Sequence, residues 1–576
     1  MLLQNTEIAN LFDEMADILE IKGQNPFRVR AYRNAARSLR DVGRDVETMV
    51  KKGEDLTRIP GIGEDLAGKI GEVVKTGTFS SLKSFRKRVP RGLVELLRIP
   101  ALGPKRVELL HHRLGITTVA GLARACRAKK VREIRGLGAK TEEKILEHLA
   151  SREKVPKRFK LSDAIGFADA IVSELGKVPG VSAVAAAGSL RRCRETVGDV
   201  DILVTASSAG PVMEAFRRGE GVRRVLSGGP TRSTIVLRSG LQVDLRVLDP
   251  ESYGAALVYF TGSKAHNIAL RHRAMQRRLK INEYGVFRGK RLVAGKTEAS
   301  VYASVGLPWI PPELRENAGE IEAGEKGKLP RLVELADLRG DLQAHTRATD
   351  GRNTLVEMAE AARRRGFEYL AITDHSRRLA MTRGLDPRRL RAQIREIERF
   401  NAKRSGITLL TGIEVDILED GRLDLPDDVL GEVDVVVGAV HSHFGLPRRR
   451  QTERILRAMD HPFFTILAHP SGRLIGERDP CDVDIGRVLR RAKERGCVVE
   501  VDAQPDRLDL LDSQCRMAKE LGVRIAIDSD AHSVLELQNL RFGVGQARRG
   551  WLEKGDVVNT RPLAELRKIL RATRLR

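Results

Sequence analysis

The run AAAGSLRRCRETVGDVDILV, Ala185–Val204, decides the fold of the middle of this 576-residue chain. Its last residues have the alternation of a β-strand, so Asp199 and Asp201 project from the same face of that strand. Ten residues before Asp199, Gly188 and Ser189 form a turn that can present N–H and hydroxyl donors to a phosphate. The run therefore predicts a sheet with acidic side chains and a phosphate-binding turn at one edge.

A second strand-like run, LQVDLRVL (Leu241–Leu248), places Asp244 and Arg246 on one face in the same way. Three carboxylates on neighbouring strands can hold two divalent cations about 4 Å apart, the arrangement used for in-line phosphoryl transfer. Arg191 and Arg192 follow the Gly-Ser turn and add positive charge for a phosphate. A lone D-x-D pair is typical of a solvent-facing strand, but this combination favours a metal-dependent phosphoryl-transfer site.

The bulk composition indicates a nucleic-acid partner. A net charge of +25 and a pI of about 10.1 fit a polyanionic ligand, although a merely solvated basic surface is the alternative. With 41% hydrophobic and 31% charged residues the chain is core-forming, which excludes a disordered protein. Its length predicts three or four domains.

Cysteine use and the first residues indicate the compartment. The cysteines are scattered without a C-x-x-C pair, which argues against a disulfide scaffold or a thiolate zinc site and fits a reducing environment. Acidic residues interrupt the N-terminal run MLLQNTEIANLFDEMADILE, so it does not resemble a signal peptide. No apolar run approaches the roughly 18 residues that span a bilayer. We therefore expect a cytoplasmic protein that uses no membrane.

Residues 1 to about 150 contain a threefold repeat. LTRIPGIGEDLAGKIGEVV, LLRIPALGPKRVELLHHRL and VREIRGLGAKTEEKILEHL each place a glycine turn before a helix with basic residues. Backbone N–H groups at such a turn hold one phosphate without contacting a base. A simple turn or ordinary helix packing is the alternative, but three copies favour helix-hairpin-helix modules that grip a nucleic-acid backbone. The residues expected to contact DNA there are Gly61, Gly63, Lys69, Gly103, Lys105, Gly136 and Gly138.

After the Pro-, Gly- and Glu-rich segment PPELRENAGEIEAGEKGKLP, which predicts a linker, apolar runs alternate with basic helices. Most of these runs end in His, Asp or Glu, as in YLAITDH, VDVVVGAVHSH and FFTILAHP. The pattern predicts parallel βα units whose polar residues gather at the carboxyl ends of the strands. Any single histidine could be structural, but their joint placement favours metal ligands. The candidates are His345, Asp350, His375, Glu414, His441, His469, Asp530 and His532.

Imidazole and carboxylate ligands in that number suit two or three ions such as Zn²⁺, Mn²⁺ or Fe²⁺. Such a cluster lowers the pKa of a bridging water and neutralises the charge that develops on a phosphoester. The region is therefore expected to hydrolyse a phosphodiester or a phosphomonoester.

Together the aspartate runs, LVYFTGSKAHNIALR (Leu257–Arg271) and KINEYGVF (Lys280–Phe287) resemble the X family of DNA polymerases, the polymerase beta-like enzymes. The resemblance implies an α+β nucleotidyltransferase palm with a thumb, acting on gapped or nicked DNA with deoxynucleoside triphosphates. Asp199, Asp201 and Asp244 are then catalytic and hold two Mg²⁺ or Mn²⁺ ions. The resemblance implies nucleotide contacts by Gly188, Ser189, Arg192, Gly198, Tyr259, Phe260, Gly262 and Asn267, and DNA contacts by Arg246 and Arg271.

In relatives, a lysine of the first helix-hairpin-helix region can form a Schiff base with an abasic sugar. Lys69 is the matching residue in this chain. However, Asp65 stands where relatives often have another lysine, which weakens the cationic pocket that would activate the nucleophile. We therefore expect Lys69 to contact a phosphate, with lyase activity as the alternative.

The C-terminal region resembles the PHP (polymerase and histidinol phosphatase) domain, which implies a distorted (β/α)₇ barrel. Nine ligands in that family match Gln343 and the eight candidates above, and His443 is expected to lie behind them. An amide oxygen is a weaker ligand than imidazole, so we expect an altered but active nuclease whose first metal position is weakened. X-family polymerases with such a domain are a bacterial type.

These readings predict a monomeric, multidomain DNA repair polymerase of the base-excision type. Its PHP domain is expected to act as a 3′–5′ exonuclease, in 3′-end processing or as an abasic endonuclease. A phosphoesterase with a weak polymerase and a non-catalytic DNA-end-binding scaffold are the alternatives. The predicted domains are an N-terminal lyase-like domain (1–85), fingers (86–152), palm (153–255), thumb (256–316), linker (317–332) and PHP domain (333–576).

Overall fold

Contacts divide the chain into two units, Met1–Arg158 and Phe159–Arg576, each of which is described by itself. The computed structural model describes residues 5–41, 46–59, 61–86, 93, 96, 99, 102–134, 136–139, 141–143, 145–146, 158–378, 382–403 and 405–574. Parts of the second and third glycine-turn repeats, and the side chain of Lys105, lie outside what is described.

The first unit is helical throughout its described residues. Its core contains the aromatic rings of Phe12, Tyr32 and Phe79, with ring centroids between 5.3 and 6.3 Å apart. A 3₁₀ turn, Leu56–Arg58, leads into the first glycine turn. The helices are Asn5–Ile21, Pro26–Asp41, Val46–Lys51, Glu64–Thr76, Ser80–Arg86, Pro104–Leu114 and Val119–Arg127.

The second unit begins with a five-stranded sheet, because short alternating runs bury one face against two helices. Its strands, in spatial order, are β2 (Val181–Ala186), β4 (Asp199–Ala206), β7 (Gln242–Leu248), β6 (Arg232–Leu237) and β5 (Val222–Gly228), and β4 and β7 are parallel. Helices Leu161–Gly176 and Ala209–Arg218 contribute to the core beneath this sheet. Two short strands outside it, β1 (Phe159–Lys160) and β3 (Thr196–Val197), pair with each other.

A helical and β subdomain follows. It contains a three-stranded sheet whose strands, in spatial order, are β10 (Arg291–Ala294), β9 (Gly285–Arg288) and β8 (Lys280–Asn282). Three helices pack with this sheet: Tyr253–Thr261, Lys264–Gln276 and Glu298–Ser304.

The segment predicted as a linker contains a short helix and buried side chains. It contains a short helix, Glu320–Glu325, and Ile321 and Leu332 are buried in the core of the preceding subdomain. Glu320 is fully buried and hydrogen-bonded to the His266 ring at 2.6 Å. The Pro-, Gly- and Glu-rich composition of this segment does not show that a few of its side chains are buried.

Residues after Leu332 form a seven-stranded, all-parallel sheet with strands in sequence order, and a bridge from Ala344 to Ala531 nearly closes it into a barrel. The predicted distorted (β/α)₇ barrel is confirmed. The strands are β11 (Gly340–Asp341), β12 (Tyr369–Ile372), β13 (Thr408–Asp416), β14 (Val435–Ala439), β15 (Ile466–Leu467), β16 (Val498–Asp502) and β17 (Arg524–Asp528). The main surrounding helices are Leu355–Arg364, Pro387–Ala402, Asp427–Leu430, Arg448–Met459, Ile485–Arg495, Asp512–Leu521, Leu540–Arg549 and Leu563–Arg574.

The barrel shares its cores with the rest of the second unit. Leu508 and Phe542 of the barrel are buried in the core of the five-stranded sheet, and Trp551 is buried in the core of the following subdomain. Arg473 also donates to Glu195 at 2.6 Å. Among the described residues, no helix combines the length and the apolar character needed to cross a bilayer.

Candidate active sites

Three aspartates lie on two neighbouring interior strands of the five-stranded sheet. Asp201 on β4 lies directly opposite Asp244 on the parallel strand β7, and Asp199 is exposed at the start of β4. Burial, and then the neighbouring carboxylates of Asp199 and Asp244, raise the pKa of Asp201 to about 7. Because three acids in this position repel one another, the arrangement favours a bound cation.

Two neighbours that the sequence reading missed orient Asp244. Thr234 on β6 donates from its hydroxyl to Asp244 Oδ1 at 2.5 Å, and the Gln242 amide donates to Oδ2 at 2.8 Å. Gln242 lies two residues before Asp244 on the same strand face, so the alternation could have identified it. Thr234 lies opposite Asp244 because β6 pairs with β7, and spacing within the sequence does not show that pairing.

The turn at Gly188 lies against the Asp201 carboxylate. Gly188 has a φ of +68°, and a Cβ there would lie 2.8 Å from Asp201 Oδ2, so a larger residue would strain the turn and displace the carboxylate. Ser189 is half-buried beside it, and Gly198 is exposed immediately before Asp199. The structure thus brings the predicted phosphate-binding turn and the aspartates together.

The two arginines after this turn have different partners. Arg191 makes a forked contact with Glu298 at 2.7 and 2.9 Å, which joins the sheet to the next subdomain. Arg192 donates to the Thr261 carbonyl and, at 3.0 Å, to Glu316. Both guanidinium groups therefore contact protein carboxylates, which lie more than 100 residues away in sequence.

Glu298 is the central acid of that junction. Burial alone would raise its pKa, but hydrogen bonds and positive charge from Arg191 and Arg315 outweigh burial and lower the pKa to about 2. Arg315 is fully buried and donates to Glu298 at 2.7 Å. The junction is thus an ionised cluster in which Arg315 and Glu298 are buried and Arg191 is partly exposed.

The predicted sugar-binding pair lies nearby. The rings of Tyr259 and Phe260 meet edge to face at 5.0 Å, and Tyr259 is partly exposed. Arg246 stacks over Phe260 at 4.5 Å, and the Asn267 amide donates to the Tyr259 carbonyl at 2.7 Å. Gly262 follows the helix that carries the aromatic pair, and Arg271 donates to the Asn267 carbonyl at 3.3 Å.

In the first unit, the glycine turns stand at the starts of helices. Gly63 and Gly103 immediately precede Glu64–Thr76 and Pro104–Leu114, while Gly61 and Gly136 have positive φ values. Gly138 follows Gly136 in the third turn.

Lys69 is mostly enclosed in that unit. It forms an ion pair with Asp65, and its Nζ lies 5.9 Å from the centroid of the Tyr32 ring. Only 13% of its side chain is exposed. The Asp65 carboxylate thus neutralises the cationic surroundings that a Schiff-base lysine needs.

At the carboxyl end of the barrel, Glu414 is the centre of a histidine cluster. Its two oxygens lie 3.0 Å from His375, 3.1 Å from His469, 3.2 Å from His441 and 3.4 Å from His345. Glu414 is buried, so its charge is balanced by these imidazoles instead of by water. The pKa of Glu414 is lowered well below its ordinary value, because the charges of His375 and His441 outweigh burial.

The remaining candidates extend the cluster on one side. His345 contacts Asp530 at 2.9 Å, and Asp350 lies 3.4 Å from His375 and 3.5 Å from His532. Seven of the eight candidates fall into three overlapping groups that could each hold an ion: His345, Asp350, His375 and His532; His375, Glu414 and His441; and His345, Glu414 and Asp530. His469 contacts Glu414 but belongs to none of these groups.

Gln343 lies inside this cluster. It is fully buried, its amide nitrogen lies 3.4 Å from Asp530 Oδ1, and its Oε1 has no hydrogen-bond partner in the described part of the chain. A buried oxygen without a partner beside imidazoles and carboxylates is what a divalent cation would satisfy. The donor set therefore fits metal ions.

A further shell of buried groups was not identified from the sequence. Asp416 lies 3.5 Å from His441, Glu500 accepts from the His469 N–H at 2.7 Å, and Arg507 lies 4.0 Å from Asp530. The runs GIEVD and VVEVDA carry these acids beside the apolar residues, which is the signal that could have revealed them. His443 is 44% exposed, contacts Glu419 at 3.9 Å and belongs to none of the three groups.

Comparisons with known proteins match four segments of this chain. Family models match residues 3–79 (helix-hairpin-helix domain), 93–151 (SAM-like helix-hairpin-helix tandem), 256–316 (DNA polymerase beta thumb) and 341–493 (PHP domain). A "probable phosphatase" of Caldanaerobacter subterraneus subsp. tengcongensis is 30% identical over 33% of this chain and 75% of its own length. DNA polymerase lambda of Rattus norvegicus is 24% identical over 54% of this chain and 56% of its own length.

The similarity to a bacterial relative extends over the full length. The "DNA polymerase/3'-5' exonuclease PolX" of Bacillus subtilis is 37% identical over 573 residues, which cover 99% of this chain and 100% of that protein. With the helix-hairpin-helix, thumb and PHP matches in the same order, the chain belongs to the bacterial PolX family of DNA polymerases/3′–5′ exonucleases with a C-terminal PHP domain.

Proposed function

We propose that this protein is a DNA-directed DNA polymerase that fills short gaps during base excision repair and trims 3′ ends with its barrel. The single observation that carries the polymerase half is the Asp201–Asp244 pair beneath the Gly188 turn. The similarity to the Bacillus subtilis polymerase over nearly the whole chain supports both halves. Gapped or nicked DNA and deoxynucleoside triphosphates are the proposed substrates, and a monomer the proposed active form.

In the palm, Asp199 and Asp201 would hold two Mg²⁺ or Mn²⁺ ions, and Asp244 would share one of them. When bound, such ions neutralise charge on the reacting phosphate and lower the pKa of the primer hydroxyl. Thr234 and Gln242 each donate a hydrogen bond to one oxygen of Asp244, so together they fix the orientation of its carboxylate.

The other palm residues position the nucleotide. The Gly188–Ser189 turn, the Gly198 N–H and Arg192 would bind the triphosphate, since backbone and guanidinium donors match phosphate oxygens. Tyr259 and Phe260 would crowd the sugar and reject a ribonucleotide by steric exclusion. Gly262 and Asn267 would complete this pocket, and Arg246 and Arg271 would contact the DNA.

In the barrel, the eight ligand candidates and Gln343 would hold two or three Zn²⁺, Mn²⁺ or Fe²⁺ ions. Such ions supply a hydroxide nucleophile at neutral pH and neutralise the phosphoester. Glu414 contacts four histidines and belongs to two of the three groups, so it would be a central ligand of the ions held there. We propose 3′–5′ exonuclease, 3′-end processing and abasic endonuclease activities for this centre.

The first unit would grip the DNA backbone through its glycine turns, with Lys69 as a phosphate contact. The ion pair between Lys69 and Asp65 supports this role over lyase chemistry. Borohydride reduction on abasic DNA tests it, with Lys69→Ala as the control. A covalent adduct in the wild type that disappears in Lys69→Ala would show that Lys69 is a lyase nucleophile.

Primer extension on DNA with a short gap tests the polymerase half. We expect extension in the presence of Mg²⁺ or Mn²⁺, and its loss in Asp199→Ala and Asp201→Ala. Asp169→Ala, on the exposed face of helix Leu161–Gly176, is the matched control and should extend normally. Extension that survives both active-site changes would refute the catalytic assignment.

A phosphoesterase that the polymerase half merely delivers to DNA is the second candidate. The similarity of a third of this chain to a "probable phosphatase", together with the PHP match at residues 341–493, favours it. Hydrolysis of 3′ ends without any extension on gapped DNA would support this candidate. A protein that binds DNA ends but turns over neither substrate would instead be a scaffold.

A further inference from the structure

A basic cleft of about 850 Å³ opens on the barrel beside the histidine cluster. Six arginines, three acidic residues and two leucines line this cleft. Its walls come from the loops after β12, β13 and β14 and from helix Arg448–Met459. Two of these loops, those after β12 and β14, also carry His375 and His441, so the cleft and the metal cluster share the same rim of the barrel.

A short chain of side chains connects the cleft to the cluster. Arg378, three residues after His375, lies with its Nε 3.6 Å from Asp416 Oδ2. Asp416 Oδ1 in turn lies 3.5 Å from His441 Nδ1. One carboxylate therefore separates an arginine of the cleft from a ligand candidate of the metal centre.

One buried arginine of the cleft is held by hydrogen bonds to loop carbonyls, whereas two exposed arginines have no partner among the described residues. Arg454 is buried and donates to the carbonyls of Leu418 and Ser442, each at 2.8 Å, which ties the loops after β13 and β14 together. Arg449 and Arg450 are exposed at the start of helix Arg448–Met459, and the described residues give them no ion pair or hydrogen bond. These two guanidinium groups remain available for a ligand.

We propose that this cleft binds the sugar-phosphate backbone of the single-stranded 3′ end whose terminal phosphodiester reaches the metal centre. Arg449 and Arg450 contact phosphates, and Arg378 contacts the phosphate nearest the centre. Guanidinium forks match phosphate oxygens, and arginines spaced along a groove bind a single strand without reading its bases. Leu418 and Leu446 offer apolar surface for sugars. The proposal rests on the nuclease activity proposed for the barrel.

The test compares a long and a short substrate on the full chain with Mn²⁺. An oligonucleotide with a single-stranded 3′ tail spans the cleft, whereas bis(p-nitrophenyl) phosphate reaches only the metal centre. In the double variant Arg449→Glu/Arg450→Glu we expect the ratio of kcat/KM for the oligonucleotide to kcat/KM for the small diester to fall about tenfold. Losing two phosphate contacts should also reduce the slope of log kcat/KM against log salt by about 1.4.

Arg567→Glu/Lys568→Glu is the matched control, because it makes the same change of charge on an exposed face of the terminal helix. Its ratio should stay at the wild-type value. Arg449→Ala/Arg450→Ala should lower the ratio in the same direction by a smaller factor, which guards against misfolding of the charge-reversed variant.

The outcomes separate the two levels of the proposal. A wild-type protein that hydrolyses neither substrate would refute the nuclease itself. Hydrolysis of both substrates with an unchanged ratio in the arginine variants would refute only the cleft. An equal fall on both substrates would likewise overturn it, because the arginines would then act on the metal centre or on folding.

Discussion

The palm and the barrel both gather acidic groups on neighbouring strands, but they surround these groups differently. In the palm, Asp199 is exposed and Asp201 and Asp244 are half-buried, and no histidine joins the three carboxylates in the described site. In the barrel, Glu414 is buried, and four imidazoles of the protein itself contact its carboxylate.

The difference shows how each site would hold its metals. The palm offers three carboxylates, so the triphosphate and the primer would have to complete the coordination of an ion bound there. The barrel offers clustered imidazole and carboxylate groups, so ions held there would be part of the folded protein. One chain would thus combine a site completed by its substrate with a site formed by the protein alone.

The largest expected effect is a separation of the two activities. Asp201→Ala should lower gap filling at least about a thousandfold, because the lost charge stabilisation is several kcal/mol. His469→Ala should lower 3′-end hydrolysis on a similar scale. Each variant should retain the other activity in paired extension and nuclease assays. If His469→Ala hydrolyses 3′ ends as the wild type does, the barrel assignment is wrong.

Metal removal should distinguish the sites next. After gel filtration in buffer containing a mild chelator, we expect the protein to retain barrel metal, measured by atomic emission, but to need added Mg²⁺ for extension. The palm should lose its ions because it lacks the substrate ligands. If the barrel loses its metal at the same chelator concentration that stops extension, the two sites do not differ in how tightly they hold their ions.

Gln343 tests how complete the barrel site is. Replacing the neutral amide by imidazole in Gln343→His should raise the bound metal toward one more equivalent and tighten it about tenfold or more. Gap filling should not change. Gln343→Ala, which removes the side-chain ligand, is the comparison. Equal metal content in the wild type and both variants would show that this position holds no ion.

The smallest expected effect concerns the Arg191–Glu298–Arg315 junction. The pKa of Glu298 is lowered to about 2 in the folded protein from an ordinary value of 4.5. This junction therefore contributes its full stability above pH 4.5, and the contribution is lost as the pH falls toward 2. Glu298→Gln should lower the free energy of unfolding by roughly 2–3 kcal/mol at pH 7.

The same substitution should cost less at pH 3.5, where part of the wild-type stabilisation is already lost. Urea titration at the two pH values measures the difference. A pH-independent effect would mean that Glu298 acts through packing and not through its charge.

Local spacing predicted one part of these sites and long-range contacts determined the rest. The two-residue alternation placed Asp199 and Asp201 on one face, and strand ends gathered the histidines around Glu414, because both patterns lie within short runs. The partners of Arg191 and Arg192 lie 107 and 124 residues away, so no local pattern could reveal them. Ile321 and Leu332 lie in the segment predicted as a linker. They are buried in a core formed by other parts of the chain, so no local pattern could show their burial.

The shared cores have a practical consequence for dissecting this protein. Arg549 of the barrel donates to Glu316 at 2.9 Å, and Glu316 also accepts from Arg192 at 3.0 Å. Together with Phe542 and Trp551, which complete cores outside the barrel, these contacts mean that a truncation near residue 330 would cut through packed interior. Denaturant should therefore unfold residues 159–576 in one transition, and the two chemistries would be expressed, degraded and inherited as a single piece.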